Sequence, residues 1–140
     1  MTSEFMRNLL SKDEKITVEY KSCQYGIQED VYETVCSFSN RYGGYIIMGA
    51  EDDGTPIGVK QNMVKDMKRN FVNQLNNPDK MSPTLYLSIE DFEYEGKILL
   101  WVYVPPTATV EKCGNRIYDR NEDGDMDITD SPIQLQNMYN

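Results

Sequence analysis

Glu14, Glu19 and Lys21 stand in the pattern Glu-x4-Glu-x-Lys near the start of a 140-residue chain. If this stretch is extended, Glu19 and Lys21 project from one strand face, because side chains two apart share a side. Two carboxylates can hold Mg²⁺ or Mn²⁺, and a lysine ammonium can steady an attacking water or the charge that develops in a transition state. A third carboxylate is needed to complete such a site. The plain reading of the same residues is a polar strand face carrying a Glu–Lys pair.

Two further groups could do chemistry of other kinds. Lys60, Lys65, Lys68 and Arg69 give residues 60–69 a net charge of +3 once Asp66 is counted. Positions 65, 68 and 69 share one side of a helix. With Lys21 and Arg41 they form a candidate phosphate-contacting patch, sequence-independent and weakened by salt. The alternative is a solvated face opposite Met67 and Phe71. Later, the segment from Asp119 to Asp130 nearly fits the calcium-loop pattern: Asp119, Asn121, Asp123 and Gly124, then Asp125, with Asp130 where a glutamate is expected. Alternating carboxylates around a glycine suit an oxygen-ligated Ca²⁺. The preceding NRIY is strand-like where an EF-hand has a helix, so an acidic solvated turn is the competing reading. Asp130 or Ser131 would then cap the helix that follows.

Composition removes several classes. There is no histidine, which excludes the usual zinc sites and every histidine-based triad. Three cysteines without CxxC spacing do not make a disulfide framework. Gly43-Gly44 precedes a strand and lacks the lysine of a phosphate-binding loop, so ATPase chemistry of that type is not expected. No stretch has the roughly 18–20 apolar residues of a membrane helix. The amino terminus makes a poor signal peptide, and a cytoplasmic location is expected. The net charge of −9 is uneven: residues 1–75 hold nine basic and eleven acidic residues, residues 76–140 five and twelve. Any phosphate-facing surface is therefore expected in the first half.

The elements that must position these groups are legible from periodicity. Residues 4–12 read as a short helix with Ser3 as N-cap, and ITVEYK as a strand with Ile16, Val18 and Tyr20 on one face. Val31, Val35 and Phe38 mark an amphipathic helix ended by Gly43-Gly44. YIIMGA is a buried strand, and EDDGTPIGV a turn at Asp53-Gly54 with a returning strand. Residues 60–75 are helical, NNPDKMSP a loop, and LYLSIEDFEY and KILLWVYV a hairpin about Glu95-Gly96. NRIYDR is one more strand, and Pro132 opens a last helix. A helix that runs to the final residue suggests one domain, 1–140, cut from a longer protein.

The order EYK (Glu19–Lys21), CSFSN (Cys36–Asn40), GGYIIMG (Gly43–Gly49) and EDDGTPIGV (Glu51–Val59) resembles the Schlafen-type Alba-like domain. IYDR (Ile117–Arg120) resembles its late aromatic-x-Arg element. The resemblance covers residues 14–59 well and the 85–104 hairpin in outline. It implies an α+β fold, a mixed sheet with two main helices, and a nucleic-acid-binding, DNA-binding role in a bacterial transcriptional regulator. Arg120 then joins Lys21, Arg41, Lys60, Lys65, Lys68 and Arg69 in the phosphate-facing set. Some animal relatives are metal-dependent, RNA-cleaving nucleases. By that analogy Glu14, Glu19 and Lys21 would be catalytic, with Asp52 (or Glu51, one residue away and on the opposite strand face) as third acid and Mg²⁺ or Mn²⁺ as cofactor. The acidity of the second half keeps a non-catalytic interaction or homo-oligomerisation domain as a third expectation.

Overall fold

The structure, a computed structural model, describes residues 1–12 and 16–139, so Glu14 lies outside the described residues. The elements are α1 (Ser3–Leu10), β1 (Val18–Lys21), α2 (Asp30–Asn40), β2 (Gly44–Met48), α3 (Val64–Leu75), β3 (Met81–Ser82), β4 (Glu90–Tyr94), β5 (Lys97–Val104), β6 (Lys112–Cys113), β7 (Tyr118–Asn121), β8 (Gly124–Asp127) and α4 (Pro132–Tyr139). A 3₁₀ turn, Gln61–Met63, leads into α3.

A four-stranded mixed sheet in the order β1-β2-β5-β4 organises the chain. β1 and β2 are parallel, with Tyr20 beside Ile47, and α2 forms the crossover that a parallel pair requires. The β4–β5 hairpin turns at Glu95-Gly96 and adds two antiparallel strands. Alternation then assigns faces. Ile46, Met48, Leu100, Val102 and Val104 pack beneath α2 and α3, where the Tyr32 and Phe71 rings stack at 5.9 Å. Tyr20, Ile47 and Leu99 face the other way, against Met6, Leu9 and Leu10 of α1. The Tyr20 hydroxyl reaches the carbonyls of Leu9, at 2.5 Å, and Lys12, tying α1 to β1.

Two glycines let α2 pass directly into β2. Gly43 adopts φ +72° and donates its N–H to the Phe38 carbonyl at 2.9 Å, closing the helix end. A Cβ at Gly44 would stand 2.6 Å from the Thr17 carbonyl and 2.8 Å from the Phe38 ring, so only glycine fits between strand and helix.

The sequence expectations differ from the structure in several places. Thr2, one residue before the expected Ser3, caps α1 by accepting from Phe5 N–H at 3.0 Å. After Asp53-Gly54 there is a single bridge, Ala50 to Pro56, and no returning strand. The reason is that the amides of Ile57 and Gly58 both donate to the Gly49 carbonyl, each at 2.8 Å, folding the segment over itself. Residues 85–89 stay outside the ladder, and Leu85 N–H instead bonds the Leu75 carbonyl at the end of α3. Within the expected NNPDKMSP loop, Met81–Ser82 pairs with Lys112–Cys113.

Candidate functional site

β1 is an edge strand, and its α2-side face carries Glu19 and Lys21 opposite Ile46 and Met48 of β2. Beyond the C-terminal ends of these parallel strands opens a cleft of about 620 Å³. Glu19, Lys21, Asp30, Glu51, Asp52 and Asp53 contribute to its walls. Three of the four residues expected to be catalytic, Glu19, Lys21 and Asp52, therefore share one cleft.

The charges in its floor are already engaged. Arg120, from β7, enters beneath β1 with only 1% of its side chain exposed. Its guanidinium donates to Glu19 Oε2 at 2.9 Å and to Asp125 Oδ1 at 2.8 Å. It also donates to the Ile16 carbonyl at 3.2 Å, and its plane lies 4.6 Å from the Phe38 ring centroid. Asp125, on β8, accepts in addition from the Thr34 hydroxyl at 2.6 Å and the Ser37 hydroxyl at 2.5 Å. On the open side, Lys21 Nζ lies 3.4 Å from Glu19 Oε1 and donates to Asp30 Oδ2 at 2.8 Å. The series Asp125, Arg120, Glu19, Lys21, Asp30 thus alternates in sign around the buried Arg120 and ends at the exposed Asp30. Burial alone lowers the Lys21 pKa, but the bonds and charges of Asp30 and Glu19 outweigh it and hold the ammonium above its ordinary value.

This arrangement bears directly on metal binding. Glu19 has one oxygen on the Arg120 guanidinium and the other facing an ammonium, and Asp30 is bonded to that same ammonium. Among the described residues no group of three His, Cys, Asp or Glu side chains is placed to hold a metal ion. The described carboxylates therefore do not fit a Mg²⁺ or Mn²⁺ centre as arranged. The calcium-loop residues are not brought together either, because the segment is a hairpin of β7 and β8. Asp119 turns to Arg41, Asp125 to Arg120, and Asp130 to Arg116 at 3.2 Å, while Asn121 Oδ1 accepts from the Asp123 amide at 2.8 Å.

The seven cations of the expected phosphate-facing set separate into two groups. Arg120 is interior, Lys21 and Arg41 bond Asp30 and Asp119, and Lys68 bonds Asp91. Lys60, Lys65 and Arg69 are exposed around the start of α3. Lys60 lies 5.7 Å from the ring centroid of Tyr25, which is itself 70% exposed. Arg69 faces Asp66 at 3.4 Å, an exposed pair worth little. Lys65 has no carboxylate partner among the described residues.

Sequence reasoning missed the hydroxyls of Thr34 and Ser37, and it missed Asn40. The Asn40 amide donates to the carbonyls of Glu111 and Tyr118, both at 2.9 Å, and accepts from Glu111 N–H at 2.6 Å. A signal was available: polar Thr34 and Ser37 are buried on the core side of α2, which requires partners from elsewhere.

Comparison with known proteins agrees with this architecture. The structure resembles the N-terminal domain of a protein from Nitrosomonas europaea described as related to the ATP-dependent DNA helicase RecG, solved in solution by NMR. The TM-score is 0.56 at 25% identity, over 74% of this chain and 72% of that one. It also resembles the DIP2311 protein of Corynebacterium diphtheriae in a crystal structure, with a TM-score of 0.61 at 16% identity. That match covers 89% of this chain and 30% of the other, and it speaks to the fold alone. No curated protein matches the sequence. A family model described as Schlafen, AlbA_2 matches residues 14–129, so the chain, with its mixed sheet, α2 crossover and β7–β8 hairpin, belongs to the Schlafen, AlbA_2 family.

Proposed function

We propose that this chain is a nucleic-acid-binding module, of the DNA-binding kind used by bacterial transcriptional regulators, and that it meets phosphate through the exposed start of α3. The observation that carries the reading is the sorting of the cations. In a chain of net charge −9, Lys60 (over the Tyr25 ring), Lys65 and Arg69 remain at the surface while the other four cations of the set bond buried or neighbouring carboxylates. The relation of one structural neighbour to a DNA helicase supports the same direction. Few cations imply modest, salt-sensitive affinity with little base readout.

Fluorescence anisotropy with labelled duplex and single-stranded DNA, at low and physiological salt, tests this. Binding should weaken as salt rises, and combined Lys60→Glu, Lys65→Glu and Arg69→Glu should weaken it further and flatten the salt dependence. Absence of binding to either DNA at low salt would sink the proposal.

The nuclease alternative draws on the shared cleft of Glu19, Lys21 and Asp52. It is not favoured, because Glu19 is held by a buried arginine and the described carboxylates do not converge.

A further inference from the structure

α1 covers only part of its side of the sheet. At the edge of the area α1 covers, its own Phe5 and the sheet residues Tyr45, Trp101 and Tyr103 form a connected row of rings. Phe5 meets Tyr45 edge-on at 5.6 Å, and Tyr45 lies 5.0 Å from Tyr103 and 6.2 Å from Trp101. Their planes are inclined by 40° to 61°, so the rings do not exhaust one another's faces. Tyr103 is 44% exposed, and the neighbouring Tyr42 is 61% exposed. Between this row and α1 lies a groove of about 430 Å³ floored at Gly43-Gly44. Its lining includes Lys12 and no described carboxylate, although acids outnumber bases 23 to 14 in the chain.

Three properties together select an occupant. The ring faces favour a planar, π-rich group. The volume suits one or two such groups, being within the usual range for ligand clefts. The charge favours an anion: a lysine and no described acid in the lining of an acidic protein.

We propose that this groove binds single-stranded nucleic acid by stacking one or two bases on Tyr42 and Tyr103, with Lys12 meeting a flanking phosphate. The proposal rests on the nucleic-acid reading above and adds to it a second surface, across the sheet from α3, that takes unpaired bases. Duplex bases are already stacked and cannot enter, so the groove discriminates single strands from duplex. Each stacked base in such platforms contributes enough that removing the aromatic partner costs about tenfold or more in affinity.

The chain has one tryptophan, Trp101, outside the groove's lining but 6.2 Å from the Tyr45 ring in its wall, so its emission reports occupancy through Tyr45. The test titrates the full chain with a thymidine oligonucleotide roughly 12 nucleotides long and with a duplex of the same length. Trp101 emission and the anisotropy of a labelled strand are read in parallel. Trp101 emission should fall on adding the single strand and not the duplex. Tyr42→Ala with Tyr103→Ala should weaken single-strand binding about tenfold and leave duplex binding unchanged, and Tyr103→Phe should restore most of the loss. Both tyrosines are exposed, and unchanged thermal unfolding of the variants verifies the fold.

Wild-type single-strand binding that neither moves Trp101 emission nor responds to these variants would overturn the stacking groove while leaving the α3 surface standing. Absence of wild-type binding to either probe at low salt would overturn both. A concentration-dependent dimer abolished by Tyr103→Ala would assign the face to a second copy and overturn the proposal as well.

Discussion

Arg120 and Lys65 carry the same formal charge and sit in opposite circumstances. Arg120 lies inside between two carboxylates, an aromatic ring and strand carbonyls. Lys65 projects into water from the start of α3 without a carboxylate partner among the described residues. A buried cation acts on the fold, because its removal strands charges that cannot be rehydrated. An exposed one leaves stability nearly unchanged and is free to meet an external anion. The comparison divides this acidic protein into a charge network that fixes geometry and a sparse cationic rim available for partners.

The harshest way to break the division is Arg120→Met. It leaves Asp125 without its cation and Glu19 with Lys21 as its remaining ion-pair partner, and a loss of about 3–5 kcal/mol in denaturant-derived stability is expected. A loss below about 1 kcal/mol would mean that the network behaves like a surface pair.

A second region sharpens the comparison with a buried group of opposite sign. Glu111 is 1% exposed, and among the described residues its Oε2 has no hydrogen-bond partner. Burial pushes its pKa from 4.5 up to about 7. A carboxyl whose folded value is raised contributes full stability below about pH 4.5, and that contribution is lost as pH rises through about 7. Glu111→Gln should abolish this component. The stability difference between variant and wild type should grow by up to roughly 3 kcal/mol from pH 4.5 to pH 8, read by urea unfolding at both ends. A difference that does not change with pH would show that Glu111 ionises freely.

Smaller effects probe the support of Asp125. Ser37→Ala removes the hydroxyl that donates to Asp125 Oδ1 from within α2, and about 1–2 kcal/mol of stability should go with it. At the far end, Lys65→Glu should change stability by less than about 0.5 kcal/mol while weakening DNA binding measurably. Together, Arg120→Met and Lys65→Glu separate folding from binding; a Lys65→Glu variant that unfolds early would erase the distinction.

Much of the frame is readable from residue order. Tyr20 alternates with Glu19 and Lys21, which fixes its face, the apolar run around Ile47 reads as a buried strand, and Gly43-Gly44 marks the passage from α2 into β2. The hairpin about Glu95-Gly96 follows from its two flanking apolar runs. The charge partners were less legible. Arg120 reads in sequence as one more cation for phosphate, and Asp119 to Asp130 as a row of oxygen ligands. Arg120, Asp119, Asp125 and Asp130 instead bond residues many positions away or across the hairpin. Thr34 and Ser37 appear as minor interruptions of an apolar helix until Asp125 arrives from 91 and 88 residues downstream.

Sequence alone determined the local conformations and which side of each element is apolar, because dihedral preference and hydrophobic period act over a few neighbouring residues. The tertiary structure alone decided which charges cancel inside and which remain for a partner. Electrostatic pairing depends on distance and burial, and the chain sets both only when β7 and β8 close against β1 and α2.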